Sequence, residues 1–207
     1  MSKVMALALA GAVLLTACAS PDTTRLRPLA EREADLYPVA QTRAGVTVAI
    51  DPLDSATRTE QYFATNLRRA GILPIHVIVS NHGSRRLVTG PADILLVRDR
   101  DVIDPLPLET VIDTIKRENT GLPGRAERSI DEYVVTSSFQ QTGIGPGATV
   151  RGLLYFPVAR VDDRSPDRYW NVTRLFQGDD VLSVRVGLTD ADTNDRIRFG
   201  PLPVDLR

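Results

Sequence analysis

Ile72 to Ser80 constrains this chain more than any other stretch. Leu73, Ile75, Val77 and Val79 form one continuous apolar face, while Ile72, Pro74, His76 and Ile78 make the other face mixed. That period of two belongs to a β-strand, and Asn81-His82-Gly83 follows with turn chemistry. Other stretches repeat the pattern. Val46 to Ile50 alternates apolar and small residues. Thr149 to Val158 sets Val150, Gly152, Leu154, Phe156 and Val158 against Thr149, Arg151, Leu153 and Tyr155. Val181 to Thr189 places Leu182, Val184, Val186 and Leu188 on one side, with Ser183 and Arg185 on the other. After the Asp190–Asp195 turn, Ile197 and Phe199 alternate with Arg196 and Arg198, which predicts a hairpin with one wet face. Arg85 to Thr89 and Ala92 to Val97 read as shorter strands on either side of Gly90-Pro91, and Arg98 to Asp101 returns to solvent. Ile144 to Gly147 reads as a turn.

Helical signals are fewer. Thr57 and Glu60 have the spacing of a capping box, and Phe63, Leu67 and Ala70 follow at i, i+4 and i+7 before Gly71 closes the pattern. The Phe63–Leu67 stripe is expected on the core, with partner binding as the alternative. Asp104-Pro105 and Pro107 open a second helix, whose Leu108, Val111, Ile112 and Ile115 share one face. Gly121 to Gly124 breaks it. Ala126, Ile130 and Val134 suggest a third helix, although Val134-Val135-Thr136 also fits a strand. Residues from Pro105 to about Phe139 therefore read as a helical insertion in a β domain. Asp162 to Asp167 reads as a polar loop, and Tyr169-Trp170 and Leu175-Phe176 as edge or loop residues packed against the sandwich.

The amino terminus carries a different kind of information. Met1 to Lys3 is weakly basic, and Val4 to Leu15 has no charged residue. That run has the length of a signal-peptide core and falls well short of the roughly 20 residues that span a bilayer as a helix. Leu15-Thr16-Ala17-Cys18 follows, with the only cysteine of the chain. The tetrad resembles the lipobox of bacterial lipoproteins. The resemblance implies cleavage before Cys18, a diacylglycerol on its sulfur and an acylated new amino terminus. Each buried CH₂ of such chains contributes about 0.8 kcal/mol to membrane binding. Ala19 and Ser20, where an aspartate would signal retention, imply the outer membrane rather than the inner one. Ala19 to roughly Ala44, with Pro21, Pro28, Pro38 and many charges, reads as a tether that could extend to about 85 Å. Pro28 to Leu36 could form a short helix within it. The alternative is an N-terminal segment that lies on the domain.

Two blocks carry a second resemblance. They run from Gly71 to Asn81 and from Ile144 to Pro157 (Ile-Gly-Pro-Gly-Ala-Thr-Val-Arg-Gly-Leu-Leu-Tyr-Phe-Pro). They resemble the strand-to-Asn turn, and the strand launched from a Pro-Gly turn, of immunoglobulin-like modules in bacterial surface and periplasmic lipoproteins. Gly152 would allow a close backbone approach or a bulge there. The resemblance implies a module that binds or scaffolds.

Composition and motifs exclude several classes of chemistry. Loss of residues 1–17, whose only charged side chain is Lys3, takes the formal net charge from −1 to −2. A nucleic-acid partner is not expected of such a chain. Nearly all the basic residues are arginine, with Lys116 the only lysine after Lys3. With Cys18 acylated, neither a disulfide nor thiol catalysis remains open. His76 and His82 are the only histidines, and neither has a second histidine or a cysteine at zinc-ligand spacing. There is no Gly-x-Ser-x-Gly elbow, His-Glu-x-x-His helix or phosphate-binding glycine loop. Asp190, Asp192 and Asn194 place oxygens at alternate positions as a calcium loop does, but Asp195 stands where its sixth-position glycine belongs. A polar hairpin turn is the better reading. Asp162-Asp163 and Asp179-Asp180 read as loop charges. Arg68-Arg69, Arg85-Arg86 and Arg125 to Arg128 read as solvated faces, with a patch for anionic lipid or glycan as the alternative.

The expected fold is mainly β, an immunoglobulin-like antiparallel β-sandwich with an N-terminal helix and a helical insertion. Residues 1–17 would be the lipoprotein signal peptide, 18–44 the lipidated cysteine and tether, and 45–207 the sandwich. The expected function is a non-enzymatic binding or assembly module on the cell envelope. Cys18 would be the lipidation site, with no cofactor, metal or catalytic residue. Its partners would be the membrane through that lipid and an envelope protein, most simply on the periplasmic side of the outer membrane. Two alternatives stand beside it. One is a periplasmic hydrolase whose Ser, His and Asp come together only in the fold. The other is a lipoprotein subunit of a secretion or surface-appendage machine, with an exposed apolar patch on the Leu108–Ile115 or Phe63–Leu67 helix.

Overall fold

The computed structural model describes residues 28–119, 124–157 and 181–205, with the side chains of 124–128 left aside. Cys18, Gly121 to Pro123 of the expected break, Val158, the Asp162–Asp167 loop, Tyr169-Trp170, Leu175-Phe176, Asp179-Asp180 and the side chains of Arg125 and Arg128 lie outside the described residues.

The described elements run β1 (Val39–Arg43), β2 (Val46–Pro52), α1 (Ala56–Phe63), β3 (Ile72–Asn81), β4 (Leu87–Thr89), β5 (Ile94–Arg98), β6 (Asp101–Ile103), α2 (Leu108–Glu118), α3 (Gly124–Ser137), β7 (Thr142–Ile144), β8 (Thr149–Pro157), β9 (Leu182–Asp190) and β10 (Arg196–Val204). They form two antiparallel sheets accompanied by a few helices. In the first sheet the order is β1-β2-β3-β8. The second is built on β9. On one side β9 pairs with β10, and on the other with β4 and β5, two consecutive segments separated by a 3-10 turn at Pro91–Asp93. Outside these lie β7, on β4, and β6, on β5.

The alternation read from the sequence sets the inner faces. Leu73, Ile75, Val77 and Val79 of β3, Val46, Val48 and Ile50 of β2, and Leu154 and Phe156 of β8 are buried in one core. From the second sheet the same core takes Leu182, Val184, Val186 and Leu188 of β9 with Ile197 and Phe199 of β10. Each such side chain contributes about 1.5–3 kcal/mol by leaving water. At one margin, side chains tie the sheets together. Arg43 Nη1 donates to the Arg198 carbonyl at 2.9 Å, and the Gly200 N–H donates to Gln41 Oε1 at 2.7 Å.

The outer face of the first sheet is covered as well. At one end α1, α2 and α3 bury Phe63, Val111, Ile115, Ile130 and Val134 against Ile72, Leu153 and Tyr155 of the sheet, together with Leu53 and Leu67. At the other end Ala34 and Tyr37 pack on Ala49 and Ile78. All ten residues of β3 are consequently buried. Its mixed face is a second interior, not a wetted surface. The free edge of β8 is sealed too, where the Phe139 N–H donates to the Leu153 carbonyl at 2.9 Å and the Leu106 N–H to the Tyr155 carbonyl at 2.7 Å. This crossing explains Gly152. A Cβ there would lie 2.5 Å from both the Phe139 Cα and N.

Several local expectations change. The N-cap of α1 is Ser55, whose Oγ accepts from the Arg58 N–H at 3.3 Å, two residues before the Thr57–Glu60 box. The helix ends at Phe63, with Ala64 left-handed. Leu67 and Ala70 are buried from irregular turns instead. Asn66 Oδ1 accepts from the Arg69 N–H at 3.1 Å, a local bond that competes with helical continuation. Gly71 serves the turn into β3, with φ of +77°. Val134-Val135-Thr136 is helical, inside α3. Thr142–Ile144 is a short strand that leads into the expected turn, and Asp101–Ile103 is a short strand that begins in the exposed stretch read from Arg98 to Asp101. The segment read as a tether contains β1, and its expected short helix is one 3-10 turn at Ala34–Leu36.

Candidate functional site

The middle and one end of the first sheet's outer face hold a group of polar side chains, all brought there by register. Asp51 of β2 lies opposite His76 of β3, and Arg151 of β8 lies opposite Ile78. Across the same face, Ser80 lies opposite Thr149. The segment preceding β1 forms a strap over them. Ser80 Oγ donates to Glu33 Oε2 at 2.8 Å, accepts from the Ala34 N–H at 3.1 Å, and lies 3.0 Å from Thr149 Oγ1. Thr149 also donates to Glu33 Oε2. Those bonds, from Thr149 first and then Ser80, hold the Glu33 carboxyl below the usual carboxylate range. Tyr37 stands edge-on to His76, with ring centroids 6.0 Å apart.

His76 is 2% exposed, and its Nε2 has no hydrogen-bond partner. Burial pushes the imidazole down to about 4; the nearby Asp51 carboxylate opposes this, and Arg151 and Arg58 add to it. Arg58, from α1, is turned to Asp51 Oδ2 at 2.8 Å and to the Pro52 carbonyl at 2.6 Å. Arg151 Nη1 is buried without a partner. At pH 7 this imidazole is neutral, with an N–H on one ring nitrogen only. Among the described residues no hydrogen bond joins either histidine to a serine. The described contacts fasten the strap to the sheet.

The other candidates resolve individually. The Asp190 carboxylate is used within its own turn. Oδ1 accepts from the backbone N–H of Asp192 at 2.9 Å and of Thr193 at 3.2 Å. Those two bonds lower its pKa, and Arg85 at 3.5 Å adds to the effect. Asp192 pairs with Arg86, and Thr193 Oγ1 donates to Asp195 Oδ2. No group of three metal-ligating side chains occurs among the described residues. Arg68 donates to the Asp54 carbonyl, next to α1. The Phe63–Leu67 stripe packs on the core as expected, and Val111 and Ile115 of α2 are buried with it, so these residues do not form the exposed apolar patch of the appendage-subunit alternative. No described helix is long and apolar enough to cross a membrane.

Sequence reasoning placed His76 on a mixed sheet face and missed Glu33, Ser80 and Thr149. The available signal was in β3 itself. A strand this apolar on both sides is one buried on both faces, so some segment had to cover His76 and Ser80.

No protein-family model matches the chain, and no curated protein matches it. Two solved structures align with it. One is ycdA of Bacillus subtilis, provisionally described as a lipoprotein, with 14% identity and a TM-score of 0.41 over 84% of this chain and 39% of that one. The chain thus spans about two fifths of that protein's length. The other is a functionally unknown protein from Listeria monocytogenes, with 12% identity and a TM-score of 0.40 over 81% of this chain and 82% of that one.

Proposed function

We propose that this chain is a lipid-anchored protein of the bacterial cell envelope, acylated at Cys18, whose two sheets form an immunoglobulin-like sandwich. It works as a non-enzymatic binding or assembly module, facing the periplasm from the outer membrane. The observation that carries the anchor is Leu15-Thr16-Ala17-Cys18 after the uncharged run Val4 to Leu15. Two further observations support a module. The inner faces of both sheets are filled by side chains, and Ser80 and Thr149 on the outer face of the first sheet are spent on the strap.

Cys18→Ser tests the reading in cells fed a labelled fatty acid. The expected result is loss of label and release of the protein from the membrane fraction. Full membrane retention of the variant would refute the anchor. Crosslinking in intact cells, followed by capture of this protein, is expected to recover one stoichiometric envelope partner.

A further inference from the structure

The two sheets differ in what covers them. The first is roofed by helices and strap, whereas the outer face of the second is wet where β9 meets β10. That region carries Arg185, Arg196 and Arg198, all exposed. Register groups them. Arg198 lies opposite Gly187 and Arg196 opposite Thr189, so Arg185 is two residues diagonal from Arg198 on the same face. Such diagonal neighbours are about 7–8 Å apart. None of the three pairs with an acid among the described residues, unlike Arg58, Arg85, Arg86 and Arg98. Arg43 adds a fourth exposed guanidinium beside β10, held by the Arg198 carbonyl.

The nearby acids keep their charge but form no ion pair with these three arginines among the described residues. Asp93, beside Gly187, accepts from the Gly90 N–H through Oδ2, and Asp195 at the turn accepts from Thr193. The chain as a whole carries a formal charge of −1, so this positive face reflects placement, not composition.

We propose that the β9–β10 face docks on an anionic phospholipid surface, with Arg185, Arg196 and Arg198 at the headgroups. The proposal rests on the lipid-anchor reading for its setting. Cys18 precedes Pro28 by ten residues, at most about 36 Å of chain. Packed sheets lie about 10 Å apart. An anchor at Cys18 therefore allows this face to reach the membrane although the strap lies on the opposite sheet. Charge complementarity selects the occupant, because a flat basic sheet face fits a plane of phosphates.

The test uses the chain from residue 18 with Cys18→Ser, which keeps every described element and carries no lipid. Failure of acylation in cells therefore leaves this measurement untouched. Cosedimentation is read with vesicles of 30 mol% phosphatidylglycerol in phosphatidylcholine, and with pure phosphatidylcholine. Binding is expected only to the anionic vesicles, and it weakens as salt rises to physiological strength. Each arginine near such a surface contributes about fivefold to partitioning, so Arg185→Gln, Arg196→Gln and Arg198→Gln together lower it about 100-fold. Arg85→Gln with Arg86→Gln, at the ion-paired turn, changes it by less than about fivefold. Equal binding by the triple variant and its parent overturns the proposal. So does equal binding to both vesicle types. Retention of the parent by a soluble anionic polysaccharide, with no vesicle binding, assigns the face to a glycan and overturns it too.

Discussion

His76 is buried beneath Tyr37, and its imidazole is pushed down from the ordinary 6.5 to about 4. Its folded pKa therefore lies below its unfolded one. Between those two values the unfolded chain binds a proton that the folded chain refuses, so stability rises with pH across that window and falls as acid is added. Near the middle of the window the slope approaches about 1.4 kcal/mol per pH unit. Integrated from pH 7 to pH 5, the loss is about 2 kcal/mol, a sizeable part of the 5–15 kcal/mol that holds a typical domain. The charged groups facing the imidazole are Asp51, Arg58 and Arg151; desolvation outweighs Asp51, and the two arginines act in the same direction as desolvation. Glu33 and Asp190 have lowered pKa values, and their contribution disappears only as pH falls below the ordinary carboxylate range. Above pH 5 the histidine effect thus stands apart from theirs. Urea unfolding at half-unit steps from pH 7 to 5 measures it, on the parent and on His76→Leu. The parent's free energy of unfolding should fall by about 2 kcal/mol relative to the variant's. Parallel curves for the two proteins over that range would refute the assignment.

Two further substitutions test the packing. Gly152→Ala inserts a Cβ at 2.5 Å from the Phe139 backbone and is expected to destabilise by about 1–3 kcal/mol in thermal or urea unfolding, whereas Gly145→Ala, with open space around its Cβ, should be close to neutral. Asn81→Ala removes an amide whose Nδ2 reaches the carbonyls of Arg85, Ile144 and Gly145 at 2.8, 3.1 and 3.1 Å, and whose Oδ1 accepts from the Gly83 N–H at 3.0 Å. Asn81 is 1% exposed, so the groups it leaves have little access to water, and a loss of about 3 kcal/mol is expected.

The inner faces were legible because a sheet's alternation is set by its own backbone. Leu73 to Val79 and Leu182 to Leu188 face the core by period alone, and β3 and β9 are the strands around which the two sheets are built. Side-chain period carries no information about what lies over the other face. Thr149, Arg151, Leu153 and Tyr155 look like the alternate face of an amphipathic strand. Leu153 and Tyr155 instead join the helical layer, Thr149 joins the strap, and Arg151 keeps one buried nitrogen unpaired. Strand count also escaped the pattern. Three-residue strands such as β6 and β7 exist because a neighbouring strand offers its edge, and no run of three residues shows a period.

The strap was the hardest feature to see, for a physical reason. Its residues are mostly proline, alanine and charged side chains with scattered Leu29, Leu36 and Tyr37, which read as a solvated spacer when judged by composition. They are retained by a few specific contacts made far along the chain. Ala34 donates to a serine 46 residues away, and Glu33 accepts from a threonine 116 residues away. No local propensity encodes such pairings. Their consequence is mechanical: the link to Cys18 ends against the middle of a sheet, where Ala34 and Tyr37 are buried, and not at its edge. A load applied to the chain ahead of the strap would meet these contacts before it reached the β1–β2 ladder. The outer face of the first sheet is thereby covered, whereas Arg185, Arg196 and Arg198 on the β9–β10 face of the second are exposed.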